Sequence, residues 1–574
     1  MSAAAQTAPN VPYNNYFIPE KDLKYVPPYL RDVPETTEEV KCESAGTWPS
    51  WLEGTFLRIG AGRFTIPLSE DGSKPNAVLQ HFFDGLGMLH KFRMSNCEVH
   101  YTSRYTAEGV VRKAKKNGYV STIMFGLNAN TPLKAAQDPC SALLGAQQSM
   151  FFPTGFIGPD EMNLNVVPRR GMHLPPDDNP YSRGEVSEDP ATEEVLVHTD
   201  FNMLQTCDAK TLQPKRLLTY AQIDSRLEGF GICAHPPKDR ARGLTFNYII
   251  SPDGQTLSIF SLDIRANPAA VVWKTPLPCR PCYVHSLAMT DKYVVFIRNP
   301  IHMDVSDMTK PVMEMLIVEP DTPTQFFVLD KFTGEHIATY EDKDGFMFFH
   351  SVNAYDFTDP STGRTNIHVD LCSYKDDYIP YREYNFSNVV DPAGPYQDGT
   401  LTRYELAGVD ATTPSEIGIV QIAATIPGMA SELPRIAKSA SAVPGYRYVY
   451  CTSGNGGASP GTSVPIGRLG KSLKVVQAAF FGSLAKSDWK TGTFKRWQPK
   501  DGESCPCEPV FVQRPGATEE DDGVVLTIVI DREGTRSILV ALDGSSFEEV
   551  ARAYLPQVYA IGPHGSFVEG TFGV

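Results

Sequence analysis

Residues 345–357 read G-F-M-F-F-H-S-V-N-A-Y-D-F. An apolar run leads into His350, and alternation resumes through Val352, Ala354 and Phe357. Aromatic residues followed by a period of two mark a buried strand, here one that carries a single histidine into a dry interior. On its own such a histidine is ordinarily a satisfied core residue. Three others share the setting, however. His235 sits in G-I-C-A-H-P-P, His285 in C-Y-V-H-S-L-A-M and His564 in A-I-G-P-H-G-S-F-V-E-G. These are four of only twelve histidines, they lie far apart in the chain, and each ends or interrupts an apolar run. A metal site assembled late, from distant strands, has this signature.

The bulk composition bounds what surrounds them. The 574 residues suffice for three or four ordinary domains, or for one large all-β domain. With 45 glycines and 46 prolines the chain favours many turns and short strands over long helices. A net charge of −15, with no dense Lys/Arg cluster, argues against nucleic acid as a partner. The start, M-S-A-A-A-Q-T-A-P-N, has neither a basic nor an apolar signal region, and no apolar window is long enough for a membrane-spanning helix. Eleven cysteines, an odd number, suit a reducing compartment. The expectation is a cytoplasmic protein with no obligate protein partner.

Residues 1–45, rich in Pro and Tyr, read as an N-terminal arm, and 46–574 as a single domain, since no linker divides them. Trp51–Phe64 reads as a strand entering a glycine turn, and His81–Met94 as a hairpin turning at Asp84-Gly85. A second signature repeats: an apolar strand, then D-x-x-T, then a return strand, at Asp208–Thr211, Asp330–Thr333 and Asp488–Thr491, with a looser copy at Asp543–Ser546. Each Asp and Thr can bond turn backbone locally. Repeated hairpins of this kind point to the blades of a β-propeller or to a large sandwich. Pro175–Glu194, Asp376–Gly399 and Gly454–Gly470 read as loops.

Neutral imidazoles suit iron, copper, zinc or nickel, whereas structural zinc prefers cysteine-rich sets. A metal-bound histidine ordinarily gives its second ring N–H to a carboxylate or carbonyl. Asp200 in V-H-T-D-F-N, Glu432 in S-E-L-P-R and Glu508 in P-C-E-P-V-F-V have apolar or proline-flanked settings that fit this role, and three carboxylates would offset a divalent charge. The pairs Cys279/Cys282 and Cys505/Cys507 offer a weaker second metal option, against which stands a reading as inert buried thiols.

Several stretches together resemble the carotenoid cleavage oxygenase family over almost the whole chain. They are F-L-R-I-G-A-G-R-F (56–64), H-F-F-D-G-L-G-M-L-H (81–90), Q-D-P-C (137–140), H-S-L-A-M-T-D (285–291), F-F-H-S-V-N-A-Y (348–355), E-P-V-F-V with E-D-D-G-V-V-L (508–526), and H-G-S-F (564–567). Within the family the chain looks most similar to the branch of animal β-carotene oxygenases and the retinal-pigment-epithelium isomerase. The resemblance implies an all-β, seven-bladed propeller with a helical and loop cap over the metal-bearing face. It implies Fe(II) held by His235, His285, His350 and His564, with Asp200, Glu432 and Glu508 behind them. Where the family usually has Glu, this chain has Asp200, one methylene shorter, which would shift its histidine or leave room for a water.

The implied reaction inserts both atoms of O2 across an alkene of an apolar polyene, giving two carbonyl products and needing no organic cofactor. Two other readings stand beside carotenoid cleavage: cleavage of a stilbenoid or phenylpropenoid, and retinoid isomerohydrolase or binding activity. Stilbenoid cleavers of the family grip a phenol with a Tyr and a Lys. The matching positions here are Ala136 and Thr199, which favours an apolar substrate. An apolar substrate resides in membrane, so a peripheral membrane contact is expected. Pro139–Ile157 is the candidate, with Leu143, Leu144, Met150, Phe151, Phe152 and Phe156 as its apolar groups.

Overall fold

The computed structural model describes residues 17–573 apart from 123, 127–154, 177, 185–186, 307–309, 320, 376–383, 391–398, 455–462, 466–471, 475–481, 505, 532–533 and 560–561. Period-two alternation organises the whole molecule. In the strand Gly54–Arg63, Leu57 and Ile59 pack with Leu89, Val195 and Val197, whereas Phe56 packs on the other face with Phe92, Leu526 and Leu539. Successive side chains of one strand therefore feed two different interfaces. A sheet apolar on both faces must be covered twice. Seven such sheets arranged in a ring satisfy that demand, each packing on the next.

The second blade runs Val167–Arg170, Glu194–His198, Leu204–Asp208, Pro214–Leu218. The third runs Lys238–Asp239, Leu244–Ile250, Leu257–Asp263, Ala270–Pro276. The fourth begins at Ala288–Met289 and gains Ile417–Ile419 as a parallel outer strand. The fifth begins with the long strand Phe346–Thr358, the sixth with Glu432–Arg435 and the seventh with Val510–Gln513. The first blade is completed by the chain's end: His564–Glu569 pairs antiparallel with Gly54–Ile59. The closure is double. At the outer rim Val40–Lys41 joins the first blade and Glu43–Gly46 joins the seventh, so the last residues of the N-terminal arm pair into both.

The D-x-x-T turns hold as the chemistry predicts. The Asp208 carboxylate accepts from the backbone of Lys210 and Thr211, Asp330 from Phe332 and Thr333, Asp488 from Lys490 and Asp543 from Ser546. The hairpin expected at Asp84-Gly85 does not form. His81 leads into a single 3-10 turn, Phe82–Asp84, and the strand starts at Leu86; the hairpin lies further on, between Leu86–Ser95 and Glu98–Tyr105. The reason is tertiary. Asp84 is buried and its carboxylate accepts the backbone N–H groups of Phe125 and Gly126 rather than those of a local turn.

Asp330→Ala removes acceptors for two backbone N–H groups and the Thr333 hydroxyl, and is expected to lower stability by about 1–2 kcal/mol in chemical denaturation. An unchanged midpoint would show that the return strand sets this turn without the carboxylate.

Candidate metal centre

The inner edge of each blade faces the propeller axis, and the inner strands run in the same sense, as the parallel bridge between His235 and Ser286 shows. His235 precedes the inner strand of the third blade, His285 that of the fourth, His350 lies within that of the fifth and His564 opens that of the first. Glu432 opens the inner strand of the sixth blade, and Glu508 stands two residues before that of the seventh. Asp200 lies just beyond Glu194–His198 of the second. Equivalent ends of neighbouring strands thus meet on the axis.

All four histidines come together there, with one ligand atom from each within 4.8 Å of every other. His285, His350 and His564 are buried and His235 is half-buried. Three of them are oriented from behind by a carboxylate. His285 Nδ1 lies 3.0 Å from both oxygens of Asp200, with the Tyr283 hydroxyl at 3.2 Å. The expected gap behind the shorter Asp is absent: Asp200 reaches its histidine directly. His350 Nδ1 meets Glu432 Oε2, while Glu432 Oε1 accepts from the Tyr374 hydroxyl at 2.8 Å. His564 Nδ1 lies 2.8 Å from Glu508 Oε1, and Glu508 Oε2 accepts from Gly565 N and from Arg435. Among the described residues no carboxylate contacts His235. Its loop is fixed by Asn247, whose amide brackets Cys233 on both backbone atoms.

These contacts fix the tautomers. A carboxylate accepts, so Nδ1 of His285, His350 and His564 carries the proton and Nε2 presents a lone pair. His235 Nε2 lies 3.0 Å from His564 Nε2, which in turn lies 3.3 Å from His350 Nε2, and His285 Nε2 is buried without a partner. Lone pairs so placed repel unless a cation sits between them. Nitrogens that share a metal at about 2.0–2.1 Å are roughly 3–4 Å apart, so the set fits a metal ion. The electrostatics agree. Burial first, then the neighbouring histidines, push His235 well below its ordinary value; burial pushes His564 to about 3 and lowers His285 against the opposing pull of Asp200. Burial also opposes ionisation of Glu508, but Arg435 and His564 outweigh it and hold that carboxyl well below its usual range.

A largely apolar cavity ends on this cluster. Phe83, Phe125, Phe349 and Tyr384 form much of its wall, and His285, His350 and His564 stand at its end. Phe349 stacks flat on the His285 ring, with centroids 4.1 Å apart, and so joins wall to ligand. Thr199 lines the cavity and brings no ammonium to it. Ala136, Leu143, Leu144, Met150, Phe151 and Phe152 lie outside the described residues; Phe156 is described and exposed. Of the proposed cysteine pairs, Cys282 and Cys507 are buried and burial pushes their thiols up, while Cys505 lies outside the described residues; no described cysteine is among the clustered ligand atoms.

The sequence reading missed the supports. Arg58 is wholly buried and donates to the carbonyls of Glu508, Gly562 and Pro563 and to the Tyr559 hydroxyl. It ties both sides of the His564–Glu508 pair to the first blade. A guanidinium in the otherwise apolar run F-L-R-I-G was the available signal.

The family model for the retinal pigment epithelial membrane protein matches residues 30–569. The chain belongs to this family. The torulene dioxygenase of Fusarium fujikuroi is 28% identical over 91% of this chain and 89% of its own length. The mitochondrial carotenoid-cleaving dioxygenase of Mustela putorius furo is 26% identical over 95% and 97%. The crystal structure of cobalt-substituted Synechocystis apocarotenoid oxygenase superposes with a TM-score of 0.68 at 20% identity, covering 97% of this chain and all of that one, which shows the shared propeller.

Arg58→Met leaves three buried carbonyls without their donor and is expected to cost about 3 kcal/mol or more of stability and to loosen metal binding. Wild-type melting temperature and metal retention in this variant would contradict the staple.

Proposed function

We propose that this protein is a non-haem Fe(II) dioxygenase that cleaves a conjugated double bond of a carotenoid or apocarotenoid, giving two carbonyl fragments. The observation that carries the reading is an aromatic cavity at whose end stand three of the four clustered imidazoles, His285, His350 and His564. The names of the relatives, torulene dioxygenase and carotenoid-cleaving dioxygenase, support it. Imidazole suits iron, and iron when bound supplies the activation of O2 that side chains alone lack. His235, His285, His350 and His564 are the proposed ligands. Asp200, Glu432 and Glu508 hold three of them in the Nδ1–H tautomer, so the lone pairs stay aimed at one point.

The wall does the selecting. Phe83, Phe125, Phe349 and Tyr384 offer flat apolar surfaces to a rod-shaped polyene, and Leu433 and Val166 extend the water-poor lining. Both atoms of O2 end in the products, one on each former alkene carbon, so no reductant and no organic cofactor is needed. Stilbenoid cleavage is the second reading; Thr199 in the wall speaks against it because a phenol finds no cation there.

Iron-loaded protein should convert a carotenoid from a panel that also contains resveratrol and a retinyl ester, with two aldehydes identified by mass spectrometry. His350→Ala should lose both iron and cleavage. Turnover of resveratrol or of the ester alone would overturn the carotenoid assignment, and full iron and activity in His350→Ala would overturn the ligand set.

Thr199→Lys places a charge in an apolar wall and is expected to depress carotenoid turnover about tenfold or more with iron content unchanged. Unaltered kinetics would remove Thr199 from the substrate's path.

No described helix is long and apolar enough to cross a membrane. We propose that substrate is taken at a membrane surface through residues 139–157; exposed Phe156 at the end of this segment supports the reading. Phe151→Asp/Phe152→Asp should float less with liposomes than wild type. Equal flotation by a folded variant would contradict it.

A further inference from the structure

Beyond the histidines, away from the cavity, the axis becomes basic. Along the inner strands Lys238 follows His235 by three positions and Arg435 follows Glu432 by three, while Arg169 lies at the third position of Val167–Arg170. None of the three lines the apolar cavity. Close to them stand Arg170, Arg240 and Lys438, with Glu569 as the acid among them, bonded to Lys438 and through its carbonyl to Arg170. A protein of net charge −15 thus gathers six cations around one end of its axis.

These cations are poorly neutralised. Arg169 donates to the Pro236 carbonyl, and among the described residues it has no carboxylate partner. Lys238 has no ion pair and no side-chain hydrogen bond among the described residues. Arg435 gives one nitrogen to Glu508 and to the Gly565 carbonyl, but its Nε is buried without an acceptor. Beside them stands His198, only 3% exposed, with neither ring nitrogen bonded. Strand pairing sets its direction: His198 is opposite Val167, and Arg169 opposite Leu196, so His198 and Arg169 share the face of the second blade that looks toward the third, where Lys238 lies. Burial, then Arg169 and Lys238, push His198 well below its ordinary value; burial, then Arg169 and Arg240, push Lys238 to about 7. Buried donors without acceptors are costly, and here the His198 nitrogens and Arg435 Nε are such groups, with half-buried Arg169 and Lys238 acting on His198.

We propose that His198, Lys238, Arg169 and the free Nε of Arg435 form a site for a small oxyanion of phosphate or carboxylate chemistry, beside the inner strands of the second, third and sixth blades. Every free group named is a donor or, in His198, can be one. An oxyanion accepts several charge-assisted hydrogen bonds at once. It also adds negative charge where Glu508 and Glu569 pair with Arg435 and Lys438 but not with Arg169 or Lys238. None of the four residues lines the apolar cavity, so the site is separate from the alkene-binding reading and fails or stands independently of it.

The test uses the full chain loaded with its metal, in a zwitterionic buffer at ionic strength fixed with sodium chloride. Inorganic phosphate and, separately, acetate are titrated in by calorimetry. Wild type should show one saturable site for at least one of them, and the better binder distinguishes phosphate from carboxylate recognition. Lys238→Met and His198→Phe, each checked for retained fold and metal content, should weaken that binding about tenfold or more. Should one variant fail to fold, the other decides. Absence of saturable binding of either anion to wild type overturns the proposal. So does a folded variant that binds as tightly as wild type, which is the result expected of an anion held by the metal itself.

Discussion

Four imidazoles converging on one point, three of them with the bare nitrogen turned inward by a carboxylate behind, are the constraint on which this structure turns. Left alone they repel, and their burial makes protonation costly. Three carboxylates behind them fix which nitrogen is bare, and a cation in front relieves the repulsion. The propeller makes the arrangement possible because a ring of blades delivers equivalent strand ends to one axis. No single blade could do so. The residues that meet span from Asp200 to His564, and the ring is closed by the very strand that begins with His564. Closure of the fold and completion of the site are therefore one event.

The same geometry divides the axis into two environments. On one side the wall is aromatic, and Phe349 stacks on the His285 ring itself. On the other, the inner strands present arginine and lysine within three residues of the ligands and their acids. The metal centre separates a region suited to an apolar chain from a region suited to charge. Because the aromatic wall comes largely from Phe83, Phe125 and Tyr384, outside the inner strands that carry the cations, substitutions on one side can leave the other intact.

Much of this was legible in the chain, for physical reasons that differ by residue. The histidines stood out because an imidazole interrupting an apolar run has to be accounted for in the interior. The D-x-x-T turns were readable because their hydrogen bonds are local, as Asp208 and Asp330 show. Asp84-Gly85 misled for the complementary reason: its dipeptide is a local turn signal, but the carboxylate is spent on Phe125 and Gly126, forty residues away. Asp200 looked one methylene too short, yet the backbone brings it to 3.0 Å from His285. Arg58, Tyr374 and Asn247 act across the fold on carbonyls, a carboxylate and a loop, and no local pattern announces such partners.

The most direct test is X-ray absorption at the metal edge of the iron-loaded protein. Four nitrogen donors at about 2.0–2.2 Å, with the outer-shell scattering of imidazole rings and no sulfur, is the predicted result. A spectrum with a sulfur donor, or with fewer than four imidazoles, would contradict the four-histidine centre on which the account rests.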